Sequence, residues 1–102
     1  FIFISGQEPQ NPQTEKVEAE TIEEQTKQTL ENIEAILQAN DASLKDVVKV
    51  TVILSNPANF QAMNGVYKTF FPGSFPARTC YSAALILPES LIEIDAVAYM
   101  GK

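Results

Sequence analysis

Two stretches of this chain repeat apolar residues with the period of an α-helix, and segments with the period of a β-strand lie before, between and after them. The resulting order of elements is β, loop, α, β, α, β, β. With 102 residues, the chain has room for one hydrophobic core. This order predicts a single α+β domain over residues 1–102, in which one mixed sheet carries both helices on the same face.

The first helix has the clearest local signals. Thr21 and Glu24 fit a capping box, in which the N-cap side chain and the third helical residue each bond to a backbone N–H group. Asn40 or Asp41 is expected to end the helix in the left-handed conformation, and Ser43 is expected to cap one further turn. The apolar stripe of this helix comprises Ile22, Thr26, Leu30, Ile33, Ile36 and Leu37.

The middle of the chain predicts a strand and then a second helix. The segment Val47–Leu54 is rich in β-branched residues, which favour strands. Strict alternation assigns one face of this strand to Val48, Val50, Val52 and Leu54. Asn56 and Pro57 are typical of a helix start, and Pro72 with Gly73 should end that helix. Its apolar stripe is expected to be core and comprises Phe60, Met63, Val66, Tyr67 and Phe70.

The remaining strands are predicted at the two ends of the chain. Phe1–Ile4 is typical of a strand already under way, so we expect residues upstream of it, and the polar stretch 8–20 should form a hairpin loop. Arg78–Leu85 and Leu91–Met100 both alternate, and a turn near Pro88 separates them. The last strand has a purely apolar face that should pack on the helices: Ile92, Ile94, Ala96 and Ala98. The opposite face of the sheet also carries apolar residues that no element is left to cover, which predicts an oligomer.

Composition and charge exclude several classes of function. Seven Lys and Arg against 13 Asp and Glu give a net charge of −6, which argues against nucleic acid or an anionic membrane as a partner. The chain has no His, so Ser-His and Cys-His nucleophile pairs and most zinc sites are excluded. The single Cys rules out an internal disulfide and suits a reducing, cytoplasmic compartment. No apolar run is long enough to span a membrane.

One group of side chains could carry chemistry. Alternation places Arg78 and Cys80 on one face of their strand, and Glu93 and Asp95 on one face of the next. If these two strands formed an antiparallel hairpin with Cys80 opposite Glu93, Arg78 would lie opposite Asp95. All four side chains would then share one face of the sheet, although a slip of one residue would separate them.

Each of these residues also has a purely structural interpretation. Arg78 could form a cross-strand ion pair with an acid, and Cys80 could be a small buried apolar residue. Glu93 could face solvent, although a Glu in an otherwise apolar strand is rarely buried without a partner. Asn64 and Gly65 are poor helix formers in the middle of the second helix, and that misfit suggests a packing or binding role.

Several strings in this sequence resemble the Rid/YjgF family. They are SGQ at 5–7, EEQTKQTLENIEAIL at 23–37, DVVKVTVIL at 46–54, FQAMNGVYKTFF at 60–71, FPARTC at 75–80 and LIEIDAVA at 91–98. The resemblance extends from residue 1 to residue 100. Its most specific part is Pro-Ala-Arg-x-Cys, followed thirteen residues after the Cys by the Glu of Ile-Glu-Ile.

The resemblance implies a chorismate-mutase-like fold and a homotrimer, in which three sheets form a central barrel with clefts between the subunits. RidA-like members hydrolyse reactive enamines and imines, such as 2-aminoacrylate, 2-aminocrotonate and their imine tautomers, to 2-oxo acids and ammonia. They use neither a metal nor an organic cofactor. The family usually begins with one more strand, which bears a Gly-Pro-Tyr-Ser-like motif; this chain lacks it.

The resemblance also assigns roles to particular residues. Arg78 matches the Arg that binds the substrate carboxylate, and a guanidinium can hold a carboxylate with two parallel hydrogen bonds. Glu93 matches the Glu that positions or activates water. Cys80 matches a Cys whose backbone groups help to hold the imine, with no attack by the thiolate. Asn64 and Gly6 match positions that line the same cleft.

The sequence leaves two other functions open. The first is a trimer without enzymatic activity that binds a small metabolite in the same cleft or acts as a chaperone-like module. The second is a ribonuclease or translation inhibitor, which the acidic charge and the absence of His disfavour.

Overall fold

The computed structural model describes residues 1–101, and its elements follow the predicted order. The strands are β1 (Ile2–Gln7), β2 (Val47–Leu54), β3 (Ala77–Ser82) and β4 (Ile92–Ala98), and the helices are α1 (Ile22–Ala39) and α2 (Phe60–Phe70). Single 3₁₀ turns at Leu44–Asp46 and Pro57–Asn59 precede β2 and α2. Both helices pack on one face of a mixed sheet, as predicted for an α+β domain.

The predicted hairpin between the last two strands is wrong. The sheet has the order β1-β4-β2-β3, so β2 separates β3 from β4. β3 runs parallel to β2, whereas β4 pairs antiparallel with both β1 and β2. The segment that follows Ser82 leaves the sheet and crosses the end of β2, where Ala83 N donates to Leu54 O and Ser55 N donates to Leu91 O, each at 3.1 Å.

The composition of the strands explains why the sheet has this order. Every inward-facing residue of β4 is buried, and β2 buries four of its eight residues. Such strands gain most in the centre of the sheet, where both of their edges are paired. β3 carries polar residues on both faces, including Arg78, Thr79 and Ser82, and an edge position exposes them to solvent at little cost.

The core lies between the sheet and the two helices. The four apolar residues of β4 predicted to face the helices are at most 2% exposed, which confirms that prediction: Ile92, Ile94, Ala96 and Ala98. On α2, Met63 and Tyr67 are buried as predicted, but Phe60 is 40% exposed and does not belong to the core. Phe60 is the first residue of α2.

A β-bulge changes the predicted faces of β2. The pairing with β4 shifts between Val47, which lies opposite Ala98, and Lys49, which lies opposite Val97. A bulge inserts one unpaired residue and thereby reverses the alternation on one side of it. As a result Val47 is buried and Val48 is 45% exposed, the reverse of the prediction from strict alternation.

The predicted helix ends are confirmed. The Thr21 hydroxyl accepts a hydrogen bond from Glu24 N at 3.1 Å, and the Glu24 carboxylate accepts one from Thr21 N. Asp41 adopts the left-handed conformation after α1, with φ of 59°, and Ser43 caps the following turn. No helix among residues 1–101 is both long enough and apolar enough to cross a membrane.

The face of the sheet that turns away from the helices has no cover within residues 1–101. We call it the open face. It carries Phe3, Ile53, Thr79, Tyr81, Glu93, Asp95 and Val97, which the strand register aligns across the sheet. Phe3 and Tyr81 are 76% and 51% exposed. Such aromatic exposure is typical of a surface that a partner covers.

Candidate active site

Arg78 lies on the helix side of the edge strand β3. It pairs with Val50, which is buried, so its side chain points toward α2 rather than toward the open face. The guanidinium carbon is 4.7 Å from the centre of the Tyr67 ring, and Nη1 donates a hydrogen bond of 2.7 Å to Asn64 Oδ1. Phe60 contributes a second aromatic face at 5.6 Å. These contacts hold the positively charged guanidinium in one orientation.

The three residues that contact Arg78 occupy one face of α2. Phe60, Asn64 and Tyr67 follow the i, i+4, i+7 spacing that brings side chains together on a helix. This contact gives Asn64, a poor helix former, a reason for its position in the middle of α2. A guanidinium has five N–H groups, and Asn64 accepts from one of them, so most of the donors of Arg78 remain for a planar anion.

Cys80 lies two residues beyond Arg78 on the same side of the sheet. It pairs with Val52, which is fully buried, and its own side chain is partly buried against the core. Burial raises the pKa of the Cys80 thiol and outweighs the nearby Arg78 charge, which acts to lower it. The thiol is therefore protonated at neutral pH and is a poor nucleophile.

Glu93 lies on the open face of β4. It pairs with Ile53 and alternates with the buried residues Ile92 and Ile94. Its pKa is raised, first because it is partly removed from water, and then because the carboxylates of Glu8 and Asp95 repel its negative charge. A carboxylate with a raised pKa is a stronger base than an ordinary surface Glu.

Gly6 leaves the space that the Glu93 carboxylate occupies. A Cβ atom at Gly6 would collide with Oε2 of Glu93. The ladder between β1 and β4 shifts its register between Ile4 and Gln7, and Gly6 lies within this irregularity. The structure therefore brings Gly6 and Glu93 together, and a larger residue at position 6 would displace the carboxylate.

The predicted cluster of four side chains on one face does not exist within one protomer. Arg78 and Cys80 lie on the helix side of the sheet, whereas Glu93 and Asp95 lie on the open face. The structural alternative, an ion pair between Arg78 and Asp95, is excluded for the same reason. The assumed hairpin caused the error. Because β2 lies between β3 and β4, residues of these two strands are not cross-strand neighbours.

Two contributors to this site were missed in the sequence. Tyr67 and Phe60 were assigned to the core stripe of α2, yet both lie against the Arg78 guanidinium. The i, i+4, i+7 spacing with Asn64 was the available signal. This spacing shows that the three side chains share one face of α2, but it does not show that β3 passes beside that face. No group of three or more Cys, Asp or Glu side chains suitable for a metal ion occurs in residues 1–101.

Comparison with known proteins agrees with this fold. The family model for endoribonuclease L-PSP matches residues 1–100. A RutC family protein from Pyrococcus abyssi is 46% identical over 99 residues, which cover 97% of this chain and 78% of that protein. The 2-iminobutanoate/2-iminopropanoate deaminase of Mus musculus is 39% identical over 100 residues, which cover 98% of this chain and 74% of the enzyme.

A solved structure of a relative matches the fold closely. The crystal structure of E. coli TdcF with bound serine has a TM-score of 0.90 at 35% identity, and the match covers 97% of this chain and 80% of TdcF. Because the family model matches residues 1–100 and the structural match covers 97% of the chain, this chain belongs to the endoribonuclease L-PSP family, which includes the YjgF and Rid proteins.

Proposed function

We propose that this protein hydrolyses small 2-imino acids, with their enamine tautomers, to 2-oxo acids and ammonia. The observation that carries the proposal is the Arg78 guanidinium, which Asn64 and Tyr67 hold. Among residues 1–101 only Asn64 accepts a hydrogen bond from it, so most of its N–H donors are left for a ligand. Such a fork is suited to a planar carboxylate. The names of the mammalian relatives support the reaction, and the serine bound to TdcF is a small molecule that carries a carboxylate.

The proposed active site lies between subunits of a homotrimer. One protomer supplies Arg78, Cys80 and Asn64, and a neighbouring protomer supplies Glu93 and Gly6. The separation of these two groups by the sheet supports this arrangement, because no movement within one sheet can bring Arg78 and Glu93 together. The exposed aromatic residues of the open face support burial of that face in the assembly.

The proposed chemistry needs one oriented water molecule. Arg78 holds the carboxylate, and Glu93 accepts a proton as water adds to the carbon of the protonated C=N bond. Glu93 returns this proton to the nitrogen of the resulting carbinolamine. The C–N bond then breaks as Glu93 takes the proton of the hydroxyl group, which leaves the 2-oxo acid and ammonia, and the ammonia takes that proton from Glu93. The iminium and one water thus become one 2-oxo acid and one ammonium ion. Such imines already hydrolyse slowly in water without a catalyst. We therefore expect much of the acceleration to come from holding the substrate beside the water molecule.

Cys80 has a supporting role in this proposal. Its thiol is protonated and lies beside Arg78, so it does not attack the substrate. We expect the backbone groups of Cys80 at the sheet edge to hold the imine end of the substrate.

Mixing two inactive variants tests the proposed site between subunits. Arg78→Ala and Glu93→Gln are each expected to form inactive trimers. When the two chains are unfolded together and refolded at equal amounts, about one quarter of the clefts should combine a native Arg78 with a native Glu93. Recovery of about a quarter of the 2-iminobutanoate deaminase activity is the expected result. No recovery from mixed trimers would contradict the arrangement.

Two measurements separate the deaminase from the alternatives. A protein that binds 2-oxobutanoate but does not accelerate the loss of freshly generated 2-aminoacrylate would be a binding module without enzymatic activity. A ribonuclease would instead cleave RNA, and it would do so in an Arg78→Ala variant that has lost deamination. The net charge of −6 and the absence of His disfavour this third activity.

A further inference from the structure

A groove of about 520 Å³ runs beside Arg78 on the helix side of β3. Its lining comprises Asn64, Tyr67, Lys68, Phe75, Pro76 and Arg78. Because Arg78 lines it, the groove is continuous with the proposed site of the substrate carboxylate. Its volume is larger than a methyl or ethyl side chain of the substrate requires. Phe75 forms a wall that is 59% exposed, which offers an apolar surface to a chain of methylene groups.

The charge of this groove differs from that of the rest of the molecule. Two cations, Lys68 and Arg78, line it, and no acid does so among residues 1–101. The other three large grooves described in this structure each include at least one Glu. In a chain with 13 acidic and seven basic residues, an acid-free groove with two cations attracts anions selectively.

The spacing of the two cations suits a ligand with two carboxylates. Asn64 contacts the Arg78 guanidinium, and Lys68 follows Asn64 by four residues on the same face of α2. Four residues of helix correspond to a rise of about 6 Å. The Lys68 ammonium group, one helical turn from the residue that holds Arg78, can therefore bind a second carboxylate. That carboxylate would be separated from the reacting carbon by two methylene groups.

We propose that the groove between Lys68 and Arg78 binds the side-chain carboxylate of the substrate, so that this protein prefers 2-imino dicarboxylic acids to 2-imino monocarboxylic acids. This proposal rests on the deaminase function proposed above. Arg78 holds the carboxylate next to the imine, the methylene groups lie along Phe75 and Pro76, and Lys68 binds the distal carboxylate. An amino-acid oxidase or a similar reaction that forms imines from acidic amino acids would supply such substrates.

Binding of two stable product analogues tests the preference without any catalysis. Titration calorimetry on the assembled protein compares 2-oxoglutarate, which has two carboxylates, with 2-oxobutanoate, which has one. We expect 2-oxoglutarate to bind about threefold to fivefold more tightly, as befits one partly exposed charge pair, and the difference to shrink as salt is added.

The matched variants are Lys68→Met and Lys27→Met. Both remove one positive charge and keep a long side chain, but Lys27 lies on α1, away from this groove. Lys68→Met should abolish the preference for 2-oxoglutarate and leave the binding of 2-oxobutanoate within about twofold. Lys27→Met should retain the preference, which controls for the change in net charge.

Turnover measured in parallel keeps the two proposals apart. The imines of glutamate and of 2-aminobutanoate are generated with an amino-acid oxidase and their hydrolysis is followed in each variant. Two results would overturn the dicarboxylate preference without affecting the deaminase function. In the first, both imines are hydrolysed with no preference that depends on Lys68. In the second, the two 2-oxo acids bind equally tightly. A binding preference that depends on Lys68 without hydrolysis of either imine overturns the deaminase function and supports the dicarboxylate groove.

Discussion

The two faces of the sheet hold their functional side chains in different ways. On the helix face, Arg78 is fixed by a hydrogen bond of 2.7 Å to Asn64 and by the Tyr67 ring, all within one chain. On the open face, Glu93 has the Gly6 backbone beside it, and its pKa is raised by burial and by the carboxylates of Glu8 and Asp95. Arg78, the proposed anchor of the substrate carboxylate, is thus oriented by direct contacts, whereas Glu93, the proposed base, has a pKa set by its surroundings. Substitutions on the two faces should therefore fail in different ways.

The largest effect is expected on the open face. Glu93→Gln keeps the shape of the side chain and removes the proposed base, which typically contributes about 10²–10⁴-fold to a rate. The loss should appear mainly in kcat, because the carboxylate anchor is untouched. The assay follows the loss of 2-iminobutanoate, and light scattering checks that the variant has the same oligomeric state as the native protein. A variant that retains more than about a tenth of the native kcat would remove Glu93 from the mechanism.

The pH dependence of the proposed activity in the native protein is a second test of Glu93. Because burial and like charges raise the pKa of Glu93, the acid limb of kcat/KM should lie at a higher pH than an ordinary Glu would give. Activity should fall as the pH decreases through that pKa, since the protonated carboxyl cannot accept a proton from water. An acid limb at the pKa of a free Glu, about 4.3, would contradict the assignment.

A smaller loss is expected for the anchor on the helix face. Arg78→Lys keeps the charge but loses the planar fork, and a hydrogen bond to a charged group contributes about 1.5–3 kcal/mol, or roughly 10–150-fold in kcat/KM. In contrast to Glu93→Gln, much of this loss should appear in KM. If kcat/KM changes by less than about threefold, Arg78 is not a bidentate anchor and a structural role is favoured.

The Tyr67 ring, which lies against the Arg78 guanidinium, should contribute less to substrate binding than the guanidinium itself. Tyr67→Phe keeps the ring beneath Arg78 and removes a buried hydroxyl that has no hydrogen-bond partner among residues 1–101, so KM should change little. Tyr67→Leu removes the ring and should raise KM about 2–30-fold, the range of a cation–π contact of about 0.5–2 kcal/mol. Equal KM values for the two variants, measured below both melting temperatures, would show that the ring does not orient the anchor.

The smallest effect on activity is expected at Cys80. Its thiol is protonated, and Cys80→Ser is nearly isosteric, so we expect most of the deaminase activity to remain, within about threefold in kcat/KM. The same preparation is tested with a thiol-alkylating reagent, against which the Ser variant serves as the control. An inactive Cys80→Ser trimer beside an active Glu93→Gln trimer would replace the water mechanism with a covalent thiol route.

The comparison between the faces also predicts an effect on stability. A raised pKa means that the folded protein binds a proton at Glu93 more readily than the unfolded chain does, so stability falls as the pH rises through the folded-state pKa. Glu93→Gln removes this cost and should raise Tm at neutral pH. The gain should shrink at lower pH and vanish below the pKa of the unfolded chain, about 4.3. A lower Tm of the variant at neutral pH would indicate that the carboxylate makes stabilising contacts in the assembly.

Local sequence signals were sufficient for the helices and for most of the strands. The capping box at Thr21 and Glu24 and the bounds of β2 were predicted and are observed, and of the two residues predicted for the left-handed position after α1, Asn40 or Asp41, it is Asp41 that adopts it. These features depend on hydrogen bonds and torsion preferences among residues a few positions apart, so a short window of sequence contains their causes. The bulge at Val47 and Val48 is the exception, since it is defined against the partner strand.

The candidate site depended on sheet order, which no short window contains. Arg78, Cys80, Asn64, Gly6 and Glu93 were selected from the sequence through a family resemblance and from the chemistry of their side chains. The one-face cluster of Arg78, Cys80, Glu93 and Asp95 that the assumed hairpin predicted is wrong, because β2 lies between β3 and β4 and the two pairs of side chains lie on opposite faces of the sheet. Which strands become neighbours is decided by competition among all apolar strands for the centre of one sheet. That competition is settled by burial over the whole chain, and only the tertiary structure reveals its outcome.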